Sequence, residues 1–297
     1  MKYKNITLKL DGKIATITLN RPDKLNAMND EMFRDLRKAL DKVKRDFESI
    51  VVVIKGAGTS FCAGQDLSGA GTEQVAPPNP RDKTYMAELF SMSLQNQSVW
   101  QYFFEFPKIT VAQVHGYCLG MGLDLAMSCR AIICTDDAVF GDPSVRMGIA
   151  SPNPLWTFRV GLKKSKELLL TGKYIDGREA EKIGLAMKSV PADKLEETMA
   201  VEVESFSKST GIGGWDQMAD FWCYNMAVMD LAGLAAGRRM AGNVNVLSAV
   251  QRPGRSLIDR GGLDFCKTRD EKGLKAAIEE RDAPFRKYFP EPQRKKR

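Results

Sequence analysis

The N-terminal residues read as two β-rich runs, Ile6-Thr7-Leu8-Lys9-Leu10 and Ile14–Leu19, separated by Asp11-Gly12. Asp-Gly between such runs predicts a hairpin, because glycine takes the positive φ that a tight turn requires. The period then changes. Met32, Leu36, Leu40, Val43 and Phe47 recur at helical spacing, with Asn29 or Asp30 as the cap. Ile50–Ile54 is a wholly apolar strand ended by Gly56-Ala57-Gly58. From Ser68 to Pro80 the chain turns rich in Gly, Ala and Pro, which predicts a mobile loop able to close over a site. Tyr85–Phe106 reads as a long helix ending before Pro107, and Ile109–Val114 as a second buried strand. The glycine-spaced Gly116–Gly122 opens a helix at Leu123–Cys129, followed by strand Ala131–Cys134 and a turn at Asp136-Asp137.

Strands alternating with helices predict an α/β layered domain over residues 1–193. After Pro191 strand signals nearly vanish. Lys194–Phe206 reads as a helix, and residues 194–297 as a helical C-terminal segment ending in a basic tail. A length of 297 residues suits this division. No apolar run approaches the roughly 18 residues of a membrane span, and Met1–Asn5 lacks the core of a signal peptide, so a cytoplasmic chain is expected.

Composition narrows the chemistry. The 6 cysteines show no metal spacing and read as reduced, buried thiols. A single histidine, His115, excludes two-histidine chemistry and His-based zinc clusters; a structural role is expected for it. No metal is expected. Lys and Arg outnumber Asp and Glu by 44 to 37, giving +7, which fits an anionic partner. Arg294–Arg297 reads as a solvated tail, and no nucleic-acid motif is present.

Two segments carry candidate chemistry: Phe61–Leu67 and His115–Asp124, each a strand running into a Gly-rich turn. Two such turns at the ends of neighbouring strands can each aim one main-chain N–H at a single oxygen, making an oxyanion hole from backbone alone. Neither has Walker or Rossmann spacing, so nucleotide cofactors are disfavoured.

The segments Cys62–Leu67, Gly120–Asp124, Phe140–Pro143, Leu170–Gly172 with Asp176–Ala180, and Leu19–Pro22 with Leu25–Met28 occur in an order that resembles the enoyl-CoA hydratase/isomerase (crotonase) superfamily. The resemblance covers residues 5–191, and Phe265–Phe285 is similar to the family's last helix. It implies a crotonase-like spiral of ββα repeats and a helical C-terminal segment that builds a homotrimer, often stacked as a hexamer. It also implies a coenzyme A thioester substrate, with coenzyme A as part of the substrate and no separate cofactor, and neither a membrane nor a nucleic-acid partner.

By the same resemblance, the thioester carbonyl accepts from the N–H groups of Gln65 and Met121, while Lys24, Leu25, Ala27, Ala63, Asp66 and Leu67 line the coenzyme A path. Family hydratases place two glutamates around a water; here those positions are Asp124 and Ser144. Aspartate is one methylene shorter, which sets its carboxylate about 1.5 Å back. Serine hydrogen-bonds but is no strong acid. Asp142 is a reserve acid on an extended segment, or a turn cap before Pro143. Met121 replaces a usual glycine, so a positive φ there would cost energy. Ser151-Pro152-Asn153-Pro154-Leu155-Trp156 replaces a glycine-rich helix start, with Trp156 as core filler or acyl-pocket wall.

The expectation is an acyl-CoA lyase that hydrates a 2-enoyl-CoA, or dehydrates a 3-hydroxyacyl-CoA, with a cyclic or branched acyl group. The alternatives are a double-bond isomerase, a ring-opening acyl-CoA hydrolase, and a non-catalytic acyl-CoA-binding protein.

Overall fold

The computed structural model of the chain describes residues 3–68, 99–147, 153–237, 240–241, 259–260 and 263–289. The expected hairpin is present: β1 (Ile6–Asp11) pairs antiparallel with β2 (Ile14–Leu19), and Gly12 has φ +55°. Helix α1 (Asp30–Arg45) starts at Asn29, whose side chain accepts the Met32 N–H at 2.9 Å. Met32, Leu36, Leu40 and Val43 are fully buried on its inner face. Phe47 is not. The chain leaves the helix at Asp46, so Phe47 falls outside the apolar face and is 92% exposed.

Strands β3 (Val51–Gly56), β4 (Ile109–Val114), β6 (Ala131–Thr135) and β9 (Lys188–Val190) extend the hairpin into a sheet of order β1-β2-β3-β4-β6-β9, parallel from β2 onward. A smaller sheet of order β5-β7-β8 is built from β5 (Tyr117–Leu119), β7 (Val139–Gly141) and β8 (Ile175–Asp176). Each central unit thus contributes one strand to the large sheet, one to the small sheet, and a helix. β4, β5 and α2 (Met121–Ser128) make one such turn; β6, β7 and α3 (Leu155–Thr171) make the next, followed by β8 and α4 (Gly177–Lys182). This is the ββα spiral that the sequence resemblance implied.

Because side chains alternate across a strand, the large sheet offers two apolar faces. Val52, Ile54, Ala112 and Val114 join Leu36, Leu40 and Leu123 in the principal core. On the opposite face Val51, Val53, Val111 and Ile133 meet Leu195, Met199 and Val203 of α5 (Leu195–Leu231). Each such fully buried side chain contributes roughly 1.5–3 kcal/mol. The helical segment therefore covers half of the sheet.

Several boundaries differ from expectation. The helix expected at Leu123–Cys129 begins at Met121, and the helix expected to end at Phe206 continues to Leu231. Two short strands, β10 (Asp259–Arg260) and β11 (Leu263–Asp264), pair where helix alone was expected. The final helix is two, α6 (Phe265–Lys272) and α7 (Leu274–Arg286), separated at Gly273. Residues 99–104 are helical and Glu105-Phe106 are not; positions 85–98 of the expected Tyr85–Phe106 helix, and the loop Ser68–Pro80 beyond its first residue, lie outside the described residues. Among the described residues no helix is long and apolar enough to cross a membrane.

The turn between β2 and α1 is held by one buried amide. Leu25 and Asn26 adopt φ of +48° and +56°, a left-handed conformation that only short polar residues and glycine visit readily. The fully buried Asn26 side chain donates to the Ala57 and Ser60 carbonyls, each at 2.8 Å, and accepts from the Arg21 N–H at 2.9 Å. Asn26→Ala should lower unfolding stability by about 2–4 kcal/mol, since it strands the buried Ser60 carbonyl and the half-buried Ala57 carbonyl and Arg21 N–H. Urea denaturation reads this directly, and an unchanged midpoint would remove Asn26 from the structural account.

Candidate active site

Three chain segments lie side by side at the ends of the large-sheet strands. The middle one, 62–66, hydrogen-bonds along both edges. On one side Ala63 N donates to Leu25 O at 3.0 Å, Met28 N to Gly64 O at 2.8 Å, and Asp66 N to Met28 O at 2.9 Å. On the other, Cys62 N donates to Tyr117 O at 2.8 Å and Leu119 N to Cys62 O at 3.0 Å. Lys24, Leu25, Ala27, Ala63, Asp66 and Leu67 are thereby gathered along one ridge, with Gln65 exposed on it.

Close approach of these turns demands glycine. A Cβ on Gly122 would lie 2.6 Å from Cys62 Cβ and 2.7 Å from Cys62 O; one on Gly64 would lie 3.0 Å from Leu119 O and 3.8 Å from Met121 N. The Gly64–Gln65 backbone thus runs beside the start of α2. Met121 opens that helix, and the first amides of a helix have no intrahelical acceptor. Among the described residues neither the Gln65 nor the Met121 N–H donates to a protein acceptor. The cost expected for Met121 does not arise. Gly120 takes the positive φ, at +49°, while Met121 is helical. Burial pushes the Cys62 thiol up to about 12, so this turn offers amides rather than a thiolate nucleophile.

Asp124 stands one helical turn beyond Met121, on the same face of α2. Its carboxyl is pushed up to about 7, first by burial and then by the negative charge of Asp142; a hydrogen bond from Asn153 opposes the shift. That bond, Asn153 Nδ2 to Asp124 Oδ1, is 2.6 Å long. Ser144 is half-buried on a 3-10 turn, Pro143–Met147, so the extended segment expected around Asp142 is absent. Asp142 caps that turn, accepting the Ser144 N–H at 2.9 Å, and acts on Asp124 electrostatically. Trp156 is 1% exposed and packs in the principal core, and its indole N–H has no partner among the described residues. His115 is buried with its ring Nε2 2.9 Å from Gly58 O, in keeping with a structural role.

Three bracing residues were not singled out from the sequence. Arg21 pairs with Asp66 at 2.8 Å; although burial raises the Asp66 carboxyl, bonds from Ser68 and Arg21 hold it below the usual carboxylate value. Arg146, on the turn that carries Ser144, forms a buried ion pair with Asp282 of α7 at 3.0 Å and stacks over Tyr174. Arg269 of α6 donates to Leu67 O at 3.2 Å. The C-terminal helices therefore brace both the 62–67 ridge and the Ser144 turn. No spacing signal marks these partners, since each contact spans distant sequence.

An N-terminal helix amide and an adjacent turn amide, with a carboxyl of near-neutral pKa one turn away, define a site for stabilising an oxyanion while moving a proton. The family model described as enoyl-CoA hydratase/isomerase matches residues 9–210, and the chain belongs to that family. EchA13 of Mycobacterium tuberculosis, which carries an enoyl-CoA hydratase name, is 38% identical over 200 residues, 62% of each chain. This chain thus spans less than two thirds of that relative. The hydroxycinnamoyl-CoA hydratase-lyase of Pseudomonas fluorescens is 31% identical over 66% of this chain and 70% of its own. The solved enoyl-CoA hydratase/isomerase from Xanthobacter autotrophicus Py2 superposes with a TM-score of 0.82 at 27% identity, covering 95% of this chain and 99% of its own.

The raised Asp124 carboxyl has a stability signature. Its pKa is higher folded than unfolded, so the native state holds a proton that the unfolded chain releases from about pH 4 upward. Stability present in acid is lost as pH rises toward 7, by at most about 1.4 kcal/mol per unit. Asp124→Asn should therefore be more stable than the wild type, by a margin that grows from pH 4 to 7 and then levels. Chemical denaturation across that range checks it; a margin independent of pH would contradict the burial of this carboxyl.

Proposed function

We propose that this protein hydrates a 2-enoyl-CoA, or dehydrates the corresponding 3-hydroxyacyl-CoA, using Asp124 as its proton carrier. The observation that supports this reading is the Asp124 carboxyl near pKa 7, one turn from the Met121 amide. The thioester oxygen accepts from the Gln65 and Met121 N–H groups, and the positive end of α2 adds to their field. Lys24, Leu25, Ala27, Ala63, Asp66 and Leu67 flank the coenzyme A portion of the substrate. Ionised Asp124 takes a proton from water as its oxygen bonds to Cβ. Electron density moves to the thioester oxygen as an enolate. Asp124 then returns the proton to Cα, and Ser144 orients the water. Removing either amide donor would cost about 3 kcal/mol of transition-state stabilisation. The acyl group is cyclic or branched. Assembly as a homotrimer or hexamer belongs to the same proposal and rests on the family resemblance.

One observation favours a second reading, double-bond isomerisation. A single carboxyl titrating near neutrality both accepts and returns a proton, which suffices to move it between two carbons without activating water.

Crotonyl-CoA in buffered D₂O separates the readings. Loss of the enoyl absorbance supports hydration, whereas deuterium gained at Cα or Cγ with constant absorbance supports isomerisation. In either case Asp124→Asn should lower the rate by about 10² or more while acyl-CoA binding stays near wild type. Wild-type turnover in that variant would defeat the assignment of Asp124.

A further inference from the structure

We propose that Asn153 is a positioning residue for Asp124, holding one carboxylate oxygen so that the other is presented to the substrate. The proposal rests on the role given to Asp124 above, but its geometry is independent of the reaction chosen. The 2.6 Å bond from Asn153 Nδ2 to Asp124 Oδ1 is the hydrogen bond recorded for that carboxylate among the described residues, and it leaves Oδ2 unengaged there.

The side-chain amide of Asn153 cannot turn over freely. Its Oδ1 accepts the Leu155 N–H at 2.9 Å, which dictates that Nδ2, and not Oδ1, faces Asp124. Pro154 follows with φ −66° and ψ −18°, already helical, so the backbone that carries Asn153 runs directly into α3. One side chain thus does two things: it satisfies an orphan amide at the start of α3 and it fixes the carboxylate on α2.

The arrangement continues at the far end of α2. Arg159 of the first turns of α3 donates to Met127 O at 2.7 Å and also to Cys129 O. Its guanidinium sits where the last carbonyls of α2 gather negative charge. The segment 153–159 therefore grips α2 at both ends, which leaves the Met121 amide in a defined place relative to Asp124.

Among the described residues the ionisable group that acts on Asp124 is Asp142, after β7. It supplies no positive charge. Of the described residues Asn153 is the one that favours the ionised form, since it donates to the carboxylate. Withdrawing it leaves burial and Asp142 unopposed.

The test uses Asn153→Ser. Serine keeps an oxygen for the Leu155 N–H, adds no charge, and is too short to reach Asp124. Titration of the carboxylic C=O stretch by difference infrared, assigned by its loss in Asp124→Asn, reads Asp124 without any turnover. The midpoint near 7 should rise by about one unit or more. The pH profile of Cα deuterium exchange should move the same way, with the rate at pH 7 falling roughly five-fold or more, while acyl-CoA affinity and thermal midpoint stay within error. An unmoved infrared midpoint would overturn the proposal, as would a moved midpoint with an unchanged exchange profile. Should Asp124→Asn itself retain exchange, the proposed reaction role of Asp124 fails; the infrared midpoint in Asn153→Ser still decides whether Asn153 holds the carboxylate.

Discussion

The site depends on three turns lying edge to edge, stitched by main-chain hydrogen bonds through Cys62–Asp66. Backbone amides have fixed directions once their neighbours are paired. Engaging the Cys62, Ala63 and Asp66 N–H groups in the ladder leaves the Gln65 N–H without a protein acceptor among the described residues. The distance between the turns is set by the absence of a side chain at Gly122, whose Cβ would overlap Cys62. Every functional distance at the site follows from that approach.

A second constraint links the periphery to this centre. The ridge and the Ser144 turn are each tied to the C-terminal helices by an arginine, Arg269 to Leu67 O and Arg146 to Asp282. A buried ion pair is costly to desolvate and strongly penalised when one partner is lost. Arg146 and Asp282 are 1% and 4% exposed, so the α7 contact is geometrically demanding rather than adaptable. The helical segment thus does more than cover the second face of the sheet with Leu195, Met199 and Val203. It holds in place the turn on which Ser144 rides.

Electrostatics divides the acidic residues at the site. Asp66 receives bonds from Ser68 and Arg21 and remains a stable anion. Asp124 is half-buried, has one neutral donor among the described residues, and feels the negative charge of Asp142, so its carboxyl is pushed up to about 7. The same residue type is therefore a strut in one place and a proton carrier in another. Environment alone makes the difference.

Much of this was legible from residue order. Local pattern decided the hairpin at Asp11-Gly12, the Asn29 cap, the apolar strand Ile50–Ile54, the buried strand Ile109–Val114, and the two Gly-rich turns, because each depends on neighbours within a few positions. The ordered motifs carried the family and its ββα spiral. Local pattern misplaced Phe47 and the extent of the helix beginning at Leu195, since helix ends are set by packing and capping as much as by periodicity. Tertiary structure alone decided that Asn153 grips Asp124 across 29 positions and that Arg146 reaches across 136 to Asp282. A hydrogen bond between residues far apart in the chain leaves no periodic trace; it exists only once the sheet has brought their elements together.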